Sequence, residues 1–460
     1  MTDGAPELPK ERRSPDLVPL RAATRTWFAI SLQTFGGPAG QIAVMQRILV
    51  DEKRWIGQRR FLFALSYCTL LPGPEAQQLA TYIGWLLNGV RGALVAGTLF
   101  VLPGAVAILA LSGIYVGYQD APVIESLFLG LAAAVIAIVV QAVIKVSRRG
   151  LGHPALIALA AASFVALTFF GVPFPAVVLV AGVIGWLLGR YLPALRRPMA
   201  EPSADGAAPL ISDGALHTER PTLGRSVSIL AIGLTLWAAP VVAFAVLVGS
   251  DSVFVDQGLF FSGAALVTFG GAYAVLAYVA QQAVQVYGWL APGEMVRGLA
   301  LAETTPGPLI MVVQFVAFLG AYRDPGDLNP WVAAVLASLL TTWVTFVPCF
   351  LFILLGAPFA ERLRHSHALT AALTGITAAV VGVIANLAVY FALHTLFADT
   401  ARITAGPLDL EIPAGGIQWA TAAVAALGGL LTFVRGWSVL RTLGLCALAG
   451  VLLYAVGAAG

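Results

Sequence analysis

Thr34-Phe35-Gly36-Gly37 recurs as Thr268-Phe269-Gly270-Gly271, and Pro72-Gly73-Pro74 recurs as Pro306-Gly307-Pro308. Trp55 and Trp289 make a third pair, and all three pairs are 234 positions apart. Further along, Pro103 pairs with Pro348, Gly130 with Gly375 and Gln141 with Asn386, now at a spacing of 245. The step of 11 falls where the second copy carries the longer polar loop Arg323-Asp324-Pro325-Gly326-Asp327. A constant offset with one insertion, placed in a loop, marks an internal duplication.

The surroundings of these motifs are apolar. Of the 460 residues, 59% are hydrophobic and 11% charged, and mean hydropathy is +0.88. A soluble chain carries about 25% charged residues, so this one cannot cover a water-facing surface. Repeated apolar runs of about 20 residues give a multi-span helical membrane protein. The 48 glycines and 27 prolines fit, because membrane helices tolerate them where neighbours re-satisfy the backbone. A net charge of +3 gives no reason to expect nucleic acid. Cys68, Cys349 and Cys446 lie singly in apolar surroundings and read as small packing residues. The five histidines show no ligand spacing, so no metal or other cofactor is expected. No apolar core with a cleavage site follows the polar start of the chain, so no removable signal peptide is expected.

The apolar runs divide the chain into a polar N-terminus (1–23), a first repeat (24–193), a Pro-rich polar linker (194–226), an unpaired span (227–249) and a second repeat (257–460). One extra span between two units that cross an even number of times turns the second upside down. Inverted repeats are a recurrent transporter architecture. Loop charge agrees with inversion: loop 51–60 holds Lys53, Arg54, Arg59 and Arg60, and its partner 285–294 holds Glu294 and no Lys or Arg.

The positive-inside rule also bears on the breaks. If every apolar segment crosses, the basic loops 51–60 and 145–153 fall on opposite sides. The conflict disappears if the two Gly/Pro-broken segments of each copy enter and return on one side. The expected fold is therefore all-α: two inverted repeats, each with two re-entrant helical hairpins plus transmembrane helices. The N-terminus, loops 51–60, 145–153 and 361–367 and the linker are then cytoplasmic, and the acidic loop 398–414 and the C-terminus periplasmic.

In Leu71-Pro72-Gly73-Pro74-Glu75-Ala76-Gln77-Gln78 both prolines lack an N–H and turn their predecessors away from helix. Gly73 supplies the turn, and a new half-helix can start with Pro74 in its first turn. Thr304-Thr305-Pro306-Gly307-Pro308 reads alike. Gly36-Gly37-Pro38 again opens a half-helix, while Gly270-Gly271 is followed by Ala272 instead of proline. Half-helix N-termini at membrane depth present unpaired N–H groups and a partial positive charge, which together suit an anion. Lys145, Arg297, Arg435 and Arg441 lie at segment ends, where they can snorkel. An anion would therefore rely on the backbone at Gly36, Gly37, Gly73, Gly270, Gly271 and Gly307, with Thr34, Gln41, Gln77, Gln78, Thr268, Thr304, Thr305 and Gln314 as neutral donors. Glu75 and Glu303 sit beside the breaks. Ionisable groups at membrane depth are functional candidates, either as proton carriers or as carboxyls bonded to the hairpin backbone. Gln141 and Asn386 read as interhelical hydrogen-bonding groups.

These motifs resemble the chromate ion transporter family. The resemblance is carried by Phe35-Gly36-Gly37-Pro38, Leu71-Pro72-Gly73-Pro74-Glu75-Ala76-Gln77-Gln78-Leu79, Tyr82-Ile83-Gly84, Thr304-Thr305-Pro306-Gly307-Pro308 and Gln314-Phe315-Val316. It extends over nearly the whole chain outside the N-terminus and linker and matches the long-chain, two-domain type. It implies a secondary transporter of the bacterial inner membrane that exports chromate and confers chromate resistance, with sulfate as a related oxyanion. Composition and spacing reach only an anion site. The expected partners are the oxyanion, the lipid bilayer and a second copy of the chain. An uncoupled anion channel, a sulfate transporter and a lipid-directed enzyme using Glu75 and Glu303 are the alternatives. The absence of a His, Ser or metal constellation argues against the enzyme, and with no P-loop, direct ATP hydrolysis is not expected.

Overall fold

The computed structural model describes residues 17–35, 37–118, 121–192, 209–211, 216–217, 222–269, 271–360 and 366–456. Most of the N-terminus and linker, Gly36, Gly270 and the basic stretch 361–365 lie outside the described residues. The first copy holds α1 (Leu20–Ser31), α2 (Gly37–Gln46), α3 (Gln58–Cys68), α4 (Glu75–Tyr118), α5 (Pro122–Gly150), α6 (Pro154–Phe170) and α7 (Phe174–Tyr191). The unpaired helix is α8 (Leu223–Leu247). The second copy holds α9 (Val253–Val267), α10 (Ala272–Gln281), α11 (Glu294–Thr304), α12 (Val312–Arg323), α13 (Pro330–Gly356), α14 (His367–Leu396), α15 (Trp419–Gly429) and α16 (Val439–Ala455). Both α2 and α10 run on into a π-helical turn, Arg47–Glu52 and Gln282–Val286.

Among the described residues, six helices are long and apolar enough to cross a bilayer. They contain the second arm of α4 and helices α5, α7, α8, α13 and α14. Pro154–Phe170, Trp419–Val434 and Val439–Ala455 are shorter apolar helices. By contrast, α1, α3 and α11 have 12, 11 and 11 residues. At 1.5 Å per residue these reach about 18 Å, little more than half of a roughly 30 Å hydrocarbon core. The helices that flank the sequence breaks are therefore too short to cross a bilayer by themselves.

As one rod, the 44 residues of α4 would be about 66 Å long. The rod is interrupted at Asn88 (φ −139°, ψ 22°) and Gly89 (φ 59°, ψ −149°). Its arms, 75–87 and 90–118, fold back on each other so closely that a Cβ on Gly84 would meet the Gly92 carbonyl and lie 2.7 Å from Ala96. In the second copy the same turn is the open loop between α12 and α13.

This turn gathers one end of the molecule. Asn88 Nδ2 donates to the Val18 carbonyl at 2.6 Å. The His217 N–H reaches the Leu86 carbonyl at 2.8 Å, and the Leu210 N–H reaches Arg54 at 2.7 Å. At the far end of α4, Tyr115 donates to Glu294 at 3.1 Å. Glu294, 5% exposed, takes two 2.7 Å bonds from the Arg323 guanidinium. The loops around Trp55 and Trp289, equivalent in sequence, thus sit at opposite ends of the second arm of α4.

The two copies interlock. α7 runs antiparallel against α14, where a Cβ on Gly185 would lie 2.7 Å from the Gly375 Cα and one on Gly189 would strike Ala371. α16 repeats this on α5, with Cys446 over Gly130 and Gly450 over Ser126. In membranes such close backbone approach supplies the packing that a hydrophobic drive cannot.

One departure from an all-helical fold appears among the described residues. Thr400–Ala405 and Leu408–Pro413 form an antiparallel hairpin with Arg402 opposite Glu411, closed at Gly406 (φ 61°). In sequence this stretch reads as an acidic loop; its alternating Ile403, Leu410 and Ile412 and the Gly406-Pro407 turn make it a hairpin.

The Pro-Gly-Pro loops are held across the copies. The Gly73 N–H donates to the Thr268 carbonyl at 2.8 Å, and the Gly307 N–H donates to the Thr34 carbonyl at 2.9 Å. Gln41 Nε2 adds a 2.5 Å bond to the Gly307 carbonyl. Replacing Gln41 with Leu leaves that buried carbonyl short of a donor and is expected to cost about 1–3 kcal/mol, read as a lower Tm of the purified protein in detergent. Gly375→Leu is expected to cost at least as much by overpacking, while Gly263→Ala, inside a helix with open space around its Cα, does not lower Tm.

Candidate functional site

Helix starts decide what the breaks present. α2 begins at Gly37 (φ 72°), and α10 follows Gly271 (φ 108°). Positive φ here falls to glycine because a Cβ disfavours it. Both helix starts open on one cavity of about 410 Å³. Gly37, Pro38 and Ala39 line it from the first copy, and Gly271 and Tyr273 from the second. Thr69 and Glu75 contribute from the Pro-Gly-Pro side, Gln141 and Lys145 from α5, and Thr370, Thr374 and Thr377 from α14.

Of the residues singled out in the sequence, Gly37, Glu75 and Gly271 meet in this cavity. Gly36 and Gly270 lie outside the described residues. The others work in the scaffold. Thr34 Oγ1 donates to the Ser31 carbonyl at 2.8 Å and Thr268 Oγ1 to the Ala264 carbonyl at 2.6 Å. Thr304 and Thr305 donate to Leu301 and Ala302. Gln78 Nε2 closes the Pro72 carbonyl at 2.6 Å, Gln77 Nε2 donates to the Thr81 hydroxyl, and Gln314 Nε2 donates to the Ala105 carbonyl at 3.1 Å. Gly73 and Gly307 turn at φ 121° and 103°; a Cβ on Gly73 would lie 2.8 Å from Cys349 Sγ. The neutral donors near the breaks are therefore largely engaged in holding the loops.

Glu303 sits behind the cavity wall, 1% exposed. The Tyr273 hydroxyl donates to one of its carboxyl oxygens, and the other has no hydrogen-bond partner among the described residues. Both acids thus stay near the breaks on different terms: Glu75 in the cavity lining, Glu303 one side chain removed from it.

Three lining residues were not legible as site residues. Lys145 reads in sequence as a snorkelling end residue and Gln141 as an interhelical contact, and nothing in the sequence singles out Tyr273. Gln141 and Lys145 lie four residues apart on one face of α5, which is the local signal that could have joined them. Tyr273 replaces Ala39 of the first copy and gives no such signal. The cavity offers an anion the first-turn N–H groups of two helices, the Lys145 ammonium and the Gln141 amide. The α14 hydroxyls are weaker candidates, because Thr374 and Thr377 donate to their own helix.

The sequence profile described as chromate transporter matches residues 22–186 and 255–451, one stretch in each copy. A chromate transport protein of Pseudomonas aeruginosa is 30% identical over 422 residues, covering 89% of each chain. One of Cupriavidus metallidurans is 28% identical over 379 residues, covering 82% of this chain and 84% of its own. An uncharacterized transporter of Bacillus subtilis is 26% identical over 169 residues, 36% of this chain and 95% of its own length, so a single copy of the unit exists as a separate protein. No solved structure matches. The duplicated breaks, the helical membrane fold and these matches agree: the chain belongs to the chromate transporter family, in its long-chain form.

Proposed function

We propose that this protein is a secondary transporter that exports chromate, with sulfate as a related substrate, across the inner membrane by alternating access, and so confers chromate resistance. The observation that carries this reading is the meeting of repeat-equivalent helix starts, Gly37 and Gly271, in one cavity that also holds Lys145. A tetrahedral dianion loses much hydration energy on leaving water. N–H groups at two helix N-termini and one ammonium replace it with charge-assisted hydrogen bonds. The names of the Pseudomonas and Cupriavidus relatives supply chromate as the substrate.

The copies are read as inverted and the broken segments as re-entrant. The loops around Trp55 and Trp289, at opposite ends of the second arm of α4, support inversion. Val18, Arg54 and Asn88, joined at one end directly or through the linker, support segments that enter and return on one side. With the positive-inside rule this end is cytoplasmic, and the C-terminus and the hairpin are periplasmic. A homodimer remains part of the reading.

Glu75 shares the cavity with the anion. A carboxylate and a dianion at such range repel, so a proton on Glu75 eases anion entry and couples the two movements.

Chromate uptake into inside-out vesicles, competed by sulfate, with and without a pH gradient, tests the assignment. Saturable uptake that follows the gradient is expected. Absence of chromate movement would sink the reading, and ohmic current would replace the transporter by a channel. Lys145→Gln is expected to raise the half-saturating chromate concentration roughly tenfold, about 1.4 kcal/mol, with Lys145→Arg retaining most of the affinity. In Glu75→Gln vesicles the pH dependence of uptake is expected to flatten; an unchanged profile would exclude the carrier role.

A further inference from the structure

A second cavity, of about 350 Å³, lies at the other end of α14. Thr370, Leu373, Thr374, Thr377 and Ile384 line the first cavity, and Asn386, Leu387, Tyr390 and Leu393 line the second, so the two follow one another along α14. From Thr370 to Leu393 they together span about 34 Å of helix, the thickness of a bilayer core. α10 also touches both, Gly271 and Tyr273 at the first, Gln281 and Gln285 at the second.

The two cavities share repeat-equivalent walls. Gln141, Ala142 and Lys145 of the first correspond, at the spacing of 245, to Asn386, Leu387 and Tyr390 of the second. The second copy thus places a tyrosine where the first places its cation. The Tyr390 hydroxyl is buried with no hydrogen-bond partner among the described residues.

A cation is restored by the hairpin inserted in the second copy alone. Arg402 lines the second cavity from β1, the strand Thr400–Ala405. Asp409 on β2, the strand Leu408–Pro413, takes two of its N–H groups, and Nη1 points to Gln285 Oε1 at 3.4 Å. The hairpin is fixed over the cavity by Glu411, which bonds His394 Nε2 at 3.0 Å and the Thr400 hydroxyl at 2.7 Å. Arg402 holds the Asp409 carboxyl below its usual range through their hydrogen bonds, so the carboxylate stays charged.

We infer that this second cavity is the anion site at the opposite membrane face, where the Arg402 guanidinium exchanges Asp409 for the tetrahedral oxyanion, with the Gln281, Gln285 and Tyr390 side chains as further donors. A planar guanidinium fork fits carboxylate and oxyanion alike, so Asp409 acts as an internal stand-in for the substrate when the cavity is empty. The inference rests on the oxyanion-transport reading above.

The test measures initial rates of chromate exchange in oriented vesicles, with chromate presented at either face. Arg402→Gln is expected to raise the half-saturating concentration about tenfold at the hairpin face and to leave it within about twofold at the other. Arg402→Lys should recover part of the loss. Asp409→Asn, which removes the competitor, is expected to lower the half-saturating concentration at the hairpin face. Equal effects at both faces, or Asp409→Asn weakening affinity as Arg402→Gln does, would show a merely structural pair and overturn the inference. Wild-type transport with an unaltered Arg402→Gln variant overturns this inference alone; a wild type that moves neither chromate nor sulfate overturns the transport reading and this inference with it.

Discussion

Two backbone hydrogen bonds, from Gly73 to Thr268 and from Gly307 to Thr34, tie the fold together. A Pro-Gly-Pro loop has one N–H, that of its glycine, and in an apolar interior that group must be paired. The partner is a carbonyl at the Thr-Phe-Gly-Gly break of the other copy, where the helix has ended and left acceptors free. Each break therefore satisfies what the other break leaves open. In this chain each loop is closed by the other copy, so the two units are joined at their breaks. The same exchange brings the starts of α2 and α10 to one place.

Around this centre the packing is made by small residues. α7 of the first copy lies on α14 of the second through Gly185 and Gly375, and α16 of the second lies on α5 of the first through Cys446 and Gly130. The contacts use equivalent positions, so the duplication seen in sequence is also a duplication of interfaces. The copies differ at the two cavities. Tyr273 stands against Ala39, Lys145 against Tyr390, and the hairpin of the second copy has no counterpart among the described residues of the first.

Charge is placed sparingly. The buried Glu294 is bonded to Arg323, Tyr115 and the Ala291 N–H, which satisfies a carboxylate that would otherwise be costly at this depth. In the cavity near the breaks, Glu75 and Lys145 share a space with helix N-termini. The Glu294 arrangement fixes an end of the protein.

The sequence by itself determined the membrane class, the duplication and the position of each break, because these depend on composition, on spacing and on the backbone limits of Gly and Pro. It also gave Gly37, Gly73, Gly271 and Gly307 as turning points, and all four have positive φ. It did not tell which residues near the breaks face a cavity. Gln41 looked like a donor for substrate, yet it bonds Gly307 across 266 positions. Lys145 looked like a residue at the membrane edge, yet it lines the cavity. Only the tertiary structure decided these, since the rotation of a helix about its axis is set by partners hundreds of residues away. A motif limits the backbone locally; the face it turns to a ligand is chosen by packing between the copies.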